Sequence, residues 1–236
     1  MTSFDDVQAL TFDCYGTLID WETGIADALG ALFERRGRTI DRARLLERFA
    51  AVEHTIQAGA PDLAYPRILE RVAHVVTSSF GVVIRQSDAE RFGASVGEWP
   101  PFPDTHDALV RLSSRFRLVV ISNVDRESFA RTRRRLDVAF DAVITAQDTG
   151  FWKPDPRMFE SAFSRLRERG IVSEHTLHVA QSLFHDHVPA QHFGLRTAFV
   201  DRYGGSGGAT PSPATPVMPT LTVRTLAELA DRLGCA

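Results

Sequence analysis

The chain has 236 residues, 44% of them hydrophobic and 24% charged, with a formal net charge of −3. That is enough chain to bury the core of one large domain, or of a core domain carrying an insertion, and the acidic balance argues against a nucleic-acid surface. No apolar run is long enough to span a membrane, "MTSFDDVQ" lacks the pattern of a signal peptide, and two cysteines, Cys14 and Cys235, offer neither a disulfide framework nor zinc spacing, so a cytoplasmic protein is expected.

The first strand is predicted over 7–13, "VQALTFD", an apolar run that ends in a single carboxylate, Asp13. Residues 20–98 then carry four stretches with apolar residues at three-and-four spacing and no strand pattern between them, the mark of successive amphipathic helices. This run reads as a helical insertion after the first strand, folded as its own small unit over 19–99. "EWPPFPDT" (98–105) is the stiff return, because proline fixes φ and stops helix continuation. Beyond it, apolar runs at 116–122, 140–146, 176–182 and 195–200 alternate with helical patterns at 104–115, 126–137, 156–169 and 186–193. Strand alternating with helix predicts an α/β fold, a Rossmann-like parallel sheet formed by 1–18 and 100–236. The arginines of "RTRRR" (131–135) read as a solvated helix face. The Gly/Pro/Ser/Thr-rich 203–220 reads as a flexible surface loop, and "VRTLAELADRLG" as a closing helix.

In an open parallel sheet, ligands bind at the carboxyl ends of the strands. Those ends bring Asp13, then Ser122 and Asn123 in "SNVD", then Lys153 in "GFWKPD", then Gln181, Ser182 and Asp186 in "QSLFHD". Each has an ordinary explanation as a turn former, a helix cap or a surface lysine. Four such ends arriving in order around one edge are not expected from those separate explanations. His185 and His187 flank Asp186, but no third ligand lies near, so no metal site is expected there. Cys14 alternates to the opposite face from Asp13 and belongs to packing.

This ordered set resembles the haloacid dehalogenase superfamily. "DCYGTL" is similar to its first motif, a nucleophilic aspartate with a threonine four residues later; "ISN" to its second; "KPDPRMF" to its third; and "AQSLFHD" stands in place of its acidic fourth. Most members of the superfamily are magnesium phosphatases with a second aspartate two places after the nucleophile and an acidic pair in the fourth motif. Here those places hold Tyr15 and Gln181. A hard cation wants carboxylate oxygens, so the resemblance to the haloacid dehalogenase branch, which has the tyrosine and uses no metal, is the stronger one. It implies a metal-independent hydrolysis of short 2-haloacids with no cofactor, since a halide leaves without a proton.

In that scheme Asp13 attacks C2, Lys153 keeps Asp13 ionised, Thr17 and Ser122 orient its oxygens, and Asp186 holds Lys153 and activates water. Tyr15, Asn123 and Ser182 line the substrate, with Asn123 beside the departing halide. A cap arginine should also grip the halide; Arg48 in "LLERFAAVEH" is the best match and Arg44 competes. Phe159 and Leu183 depart from a tyrosine and an asparagine of the dehalogenases. A strained C–N substrate, or a magnesium-dependent phosphatase, stays open as the alternative. The partners implied are a small haloacid and water, neither nucleic acid nor membrane. The oligomeric state is open, a homodimer included.

Overall fold

The computed structural model describes residues 3–60, 63–205, 209, 212–214 and 216–236. In part the stretch read as a flexible loop, 203–220, lies outside the described residues. In chain order the elements are β1 (Ala9–Phe12), α1 (Trp21–Glu34), α2 (Arg42–Gly59), α3 (Tyr65–Ser79), α4 (Gln86–Ala94), α5 (Thr105–Ser113) and β2 (Arg117–Ser122). They continue with α6 (Arg126–Leu136), β3 (Ala142–Thr145), the single turn α7 (Ala146–Thr149), α8 (Arg157–Arg167) and β4 (Thr176–Ala180). The chain ends with α9 (Val188–His192), β5 (Arg196–Val200), β6 (Leu221–Val223) and α10 (Leu226–Arg232). No described helix is long and apolar enough to cross a membrane.

The six strands form one sheet in the order β3-β2-β1-β4-β5-β6, every pairing parallel. This is the parallel α/β fold that the alternation of runs predicts. The strand β6 is an addition to it: three residues at the edge of a Gly/Pro-rich stretch are too few for a period to register.

The chain divides into two compact units. The first comprises Met1–Ile19, Pro101–Asn123 and Leu136–Ala236 and contains the sheet; the second comprises Asp20–Pro100 and Val124–Arg135. In the first, β1 to β5 are nearly or wholly buried, as strands covered on both faces must be. Ile121, Ile144, Met158, Phe159, Phe163 and Leu166 belong to one cluster between β2, β3 and α8, each such burial being worth about 1.5–3 kcal/mol.

The second unit has its own core. Leu29, Phe33, Phe49, Leu69, Val72, Val76 and Phe92 are buried from four helices, and Phe49 meets Phe92 edge-on at 6.2 Å. Gly24 lies inside α1 because a Cβ there would stand 2.2 Å from the Trp99 ring. In α6, Arg131 donates to Glu98 at 2.7 Å while residues 133–135 are exposed, the solvated face expected of "RTRRR".

Candidate active site

The sheet sets the site by register. In the parallel pairing of β1 with β4, Thr11 faces His178, so the residues just beyond both strands emerge at one edge. Asp13 follows β1 directly, its N–H bonded to Val179 O at 3.0 Å. The chain then folds into a tight loop in which Cys14 O accepts from the N–H groups of Thr17, Leu18 and Ile19. Gly16 sits in this loop at φ 99°, a conformation that disfavours any side chain. The loop returns Thr17 beneath Asp13: Thr17 Oγ1 donates to Asp13 Oδ2 at 2.7 Å and accepts from Gln181 N at 2.9 Å. Arg202 donates twice to Thr17 O, at 3.2 and 2.8 Å, and pairs with Asp104 at 2.7 Å, pinning the loop from behind.

Lys153 is 2% exposed and its ammonium is saturated. Nζ donates to Asp13 Oδ1 at 2.7 Å, to Asp186 Oδ1 at 2.6 Å and to Ile121 O at 3.0 Å, which uses all three of its hydrogens. One cation thus bridges two buried carboxylates. Burial opposes charge on Lys153, but Asp13 and Asp186 outweigh it and hold the ammonium above its ordinary range. Burial likewise pushes Asp186 up, yet Lys153 and His178 win, and its carboxyl is held well below the usual range. At Asp13 the balance is reversed. Burial is the largest effect, Lys153 offsets it, and the negative charge of Asp186 adds to it, so this carboxyl lies above its ordinary value. Lys153 therefore offsets the cost of the Asp13 charge without outweighing it.

The remaining residues take more particular places. Ser122 ends β2 with its hydroxyl buried and without a hydrogen-bond partner among the described residues. Asn123 is clamped to the backbone of Lys153: Nδ2 donates to Lys153 O at 2.8 Å and Oδ1 accepts from Lys153 N at 2.7 Å. This uses one of the two Nδ2 hydrogens. Ser182 Oγ accepts from His185 N at 2.9 Å and so caps a single π-helical turn, Leu183–His187, that carries Asp186 inward. The backbone of Tyr15 pairs with Ile19. Cys14 is wholly buried, and burial together with the Asp13 charge pushes its thiol well up. His187 is also buried, its Nε2 bonded to Ala180 O.

All of these contacts lie within the first unit. Arg48 and Arg44 belong to the second, both exposed: Arg48 Nε donates to Ser79 Oγ at 3.2 Å, and the Arg44 guanidinium lies over the Phe80 ring. Sequence reasoning missed His178, whose Nε2 is 3.1 Å from Asp186 Oδ1 and whose Nδ1 is 2.9 Å from Thr11 Oγ1. A histidine inside a continuous buried run, "TLHVA", was the available signal, since a buried polar group must find partners.

Residues 7–180 match the haloacid dehalogenase-like hydrolases. Among curated proteins, an (S)-2-haloacid dehalogenase of Pseudomonas putida is 26% identical over 233 residues, 97% of each chain. Among solved structures, a defluorinating L-2-haloacid dehalogenase superposes with a TM-score of 0.80 at 20% identity, over 96% of this chain and 95% of that one. An L-2-haloacid dehalogenase of Xanthobacter autotrophicus with chloropropionic acid covalently bound superposes with a TM-score of 0.78 at 19% identity, over 98% of this chain and all of that one.

Proposed function

Because the chain belongs to the haloacid dehalogenase-like hydrolase family, we propose that it hydrolyses the carbon–halogen bond of short 2-haloacids through an ester on Asp13. The observation that carries this reading is Lys153 bridging Asp13 and Asp186 where Tyr15, not an acid, follows the nucleophile. Such a site holds a carboxylate for attack on carbon and has no second acid two places after it, which suits a leaving group that departs as a stable anion. The relationship to (S)-2-haloacid dehalogenases supports the same substrate class.

In the first step an Asp13 oxygen attacks C2, the carbon–halogen bond breaks, and the halide leaves with the bonding pair. The remaining Nδ2 hydrogen of Asn123 is the donor offered to it. The substrate carboxylate meets backbone N–H groups near Tyr15. In the second step Asp186 takes a proton from water through Oδ2, which has no partner among the described residues, and the hydroxyl oxygen adds to Cγ of Asp13. The acyl–oxygen bond then breaks, the 2-hydroxyacid leaves with the proton held on Asp186, the new Asp13 carboxyl releases the second proton of the water to solvent, and Asp13 keeps one oxygen from water. Thr17 holds an Asp13 carboxyl oxygen, and Ser182 shapes the turn that carries Asp186. The Ser122 hydroxyl makes no hydrogen bond among the described residues and so does not share in holding the carboxyl, and 19–99 is read as the cap. A reducing, cytoplasmic setting goes with this reading, supported by Cys14 and Cys235 both being free thiols.

The phosphatase alternative is disfavoured by the donor set. Tyr15 and Gln181 replace the expected carboxylates, and Asp186 Oδ1 already receives Lys153 and faces His178. Halide release from chloroacetate, fluoroacetate and both 2-chloropropionate enantiomers, with chelator present, tests the reading. Single turnover in ¹⁸O-water should place label in the peptide bearing Asp13. No halide from any of the four, or label only in the product, would overturn it.

A further inference from the structure

The two oxygens of Asp186 are in different situations. Oδ1 receives Lys153 Nζ at 2.6 Å and lies 3.1 Å from His178 Nε2. Oδ2 is buried with no partner among the described residues. An ionised carboxylate only accepts, so His178 Nε2 carries the hydrogen toward it, while Nδ1 pairs with the Thr11 hydroxyl across 2.9 Å. The Phe159 ring meets the imidazole edge-on, 5.0 Å between centroids, and holds its plane. His178 is wholly buried in β4, opposite Thr11 in register. The result is a buried chain, Thr11 to His178 to Asp186 to Lys153.

We propose that His178 is a positioning residue for the second step alone: it holds Asp186 by Oδ1, so that Oδ2 stays available to take the proton of the attacking water. This rests on the dehalogenase reading above. The physical reason lies in what the first step does to Lys153. When Asp13 becomes a neutral ester, the ammonium loses one of its two anionic partners, and among the described residues Asp186 is the carboxylate left to it. A carboxylate anchored only by Lys153 would swing both oxygens onto Nζ, occupying the oxygen that hydrolysis needs. The second hydrogen bond, from His178, prevents that rotation, and Thr11 holds the ring in the orientation that makes it. The attack on C2 uses Asp13 and does not depend on which Asp186 oxygen is free.

Rapid acid-quench of a single turnover with (S)-2-chloropropionate, on the full chain, separates ester formation from ester hydrolysis. In His178→Phe we expect ester formation within about threefold of wild type and hydrolysis slower by roughly 10²-fold, the scale of a misplaced reacting group, so that the ester accumulates. His178→Gln, which keeps a donor, should recover much of the loss. Thr11→Val, close to isosteric, should slow hydrolysis selectively by a smaller factor, and it carries the test if His178→Phe does not fold. The proposal is overturned if the variants slow both steps equally or leave the ratio of the two rates unchanged. A wild type that forms no ester from any 2-haloacid overturns the function first, and is seen before any variant is made.

Discussion

Lys153 and Asp186 form the tightest ion pair of the site: Nζ lies 2.6 Å from Oδ1, with the lysine side chain 2% exposed and the aspartate not at all. Removing one partner of such a pair strands a buried charge and costs about 3–5 kcal/mol. Lys153→Met should therefore lose that much stability at pH 7 in denaturant unfolding, together with all turnover. The stability loss should shrink in acid, where the stranded carboxylates take up protons.

The opposed shifts of the two carboxylates fix the sign of the pH dependence. Asp186, held low, contributes stability that is present above the ordinary aspartate value of 3.8 and is lost as pH falls through its lower folded value. Asp13, held high, contributes the reverse: ionising it costs stability as pH rises from 3.8 through its folded value. The nucleophilic role proposed for Asp13 requires it ionised, so kcat/KM should fall in acid with a midpoint above 3.8. A pH–rate profile whose acid limb sits at or below that value contradicts the role given to Asp13.

Asn123 holds Lys153 by its backbone through two hydrogen bonds. Asn123→Ala should lower turnover by roughly 10-fold or more through loss of that alignment. Asn123→Asp should be worse, since it sets a carboxylate oxygen against Lys153 O. Steady-state kinetics on both variants, with unfolding curves to separate folding from catalysis, check the order.

Glu53, on α2, is half-buried against Tyr65, and desolvation pushes its carboxyl up to about 7. A raised carboxylate costs stability as pH climbs from its unfolded value of 4.5 through 7. Glu53→Gln should raise stability by about 1–2 kcal/mol at pH 8 and change it little at pH 4.5. Melting curves at the two pH values decide it.

Cys14 follows Asp13, yet its thiol is buried and its ionisation suppressed. Native protein treated with iodoacetamide should keep full activity, and mass analysis should find Cys14 unmodified. Inactivation that tracks Cys14 labelling would return a thiol to the mechanism.

Much of this protein was legible one residue at a time. Asp13, Ser122, Lys153 and Asp186 follow apolar runs or sit just past them, and the parallel sheet that such runs demand collects their ends at one edge. Thr17 was legible as a neighbour of Asp13, four residues away and returned by a turn. Local periodicity and turn chemistry are short-range, so the sequence alone suffices for the elements and for the group of residues they deliver. The arrangement of that group was not legible. That Asn123 grips the backbone of Lys153, that Asp13 and Asp186 shift in opposite directions around one ammonium, and that His178 joins Thr11 to Asp186 all depend on contacts between distant residues. Thr11 and His178 stand 167 positions apart. Only the register of β1 against β4 brings them together, and only burial makes the strength of each bond and the cost of each charge large enough to matter.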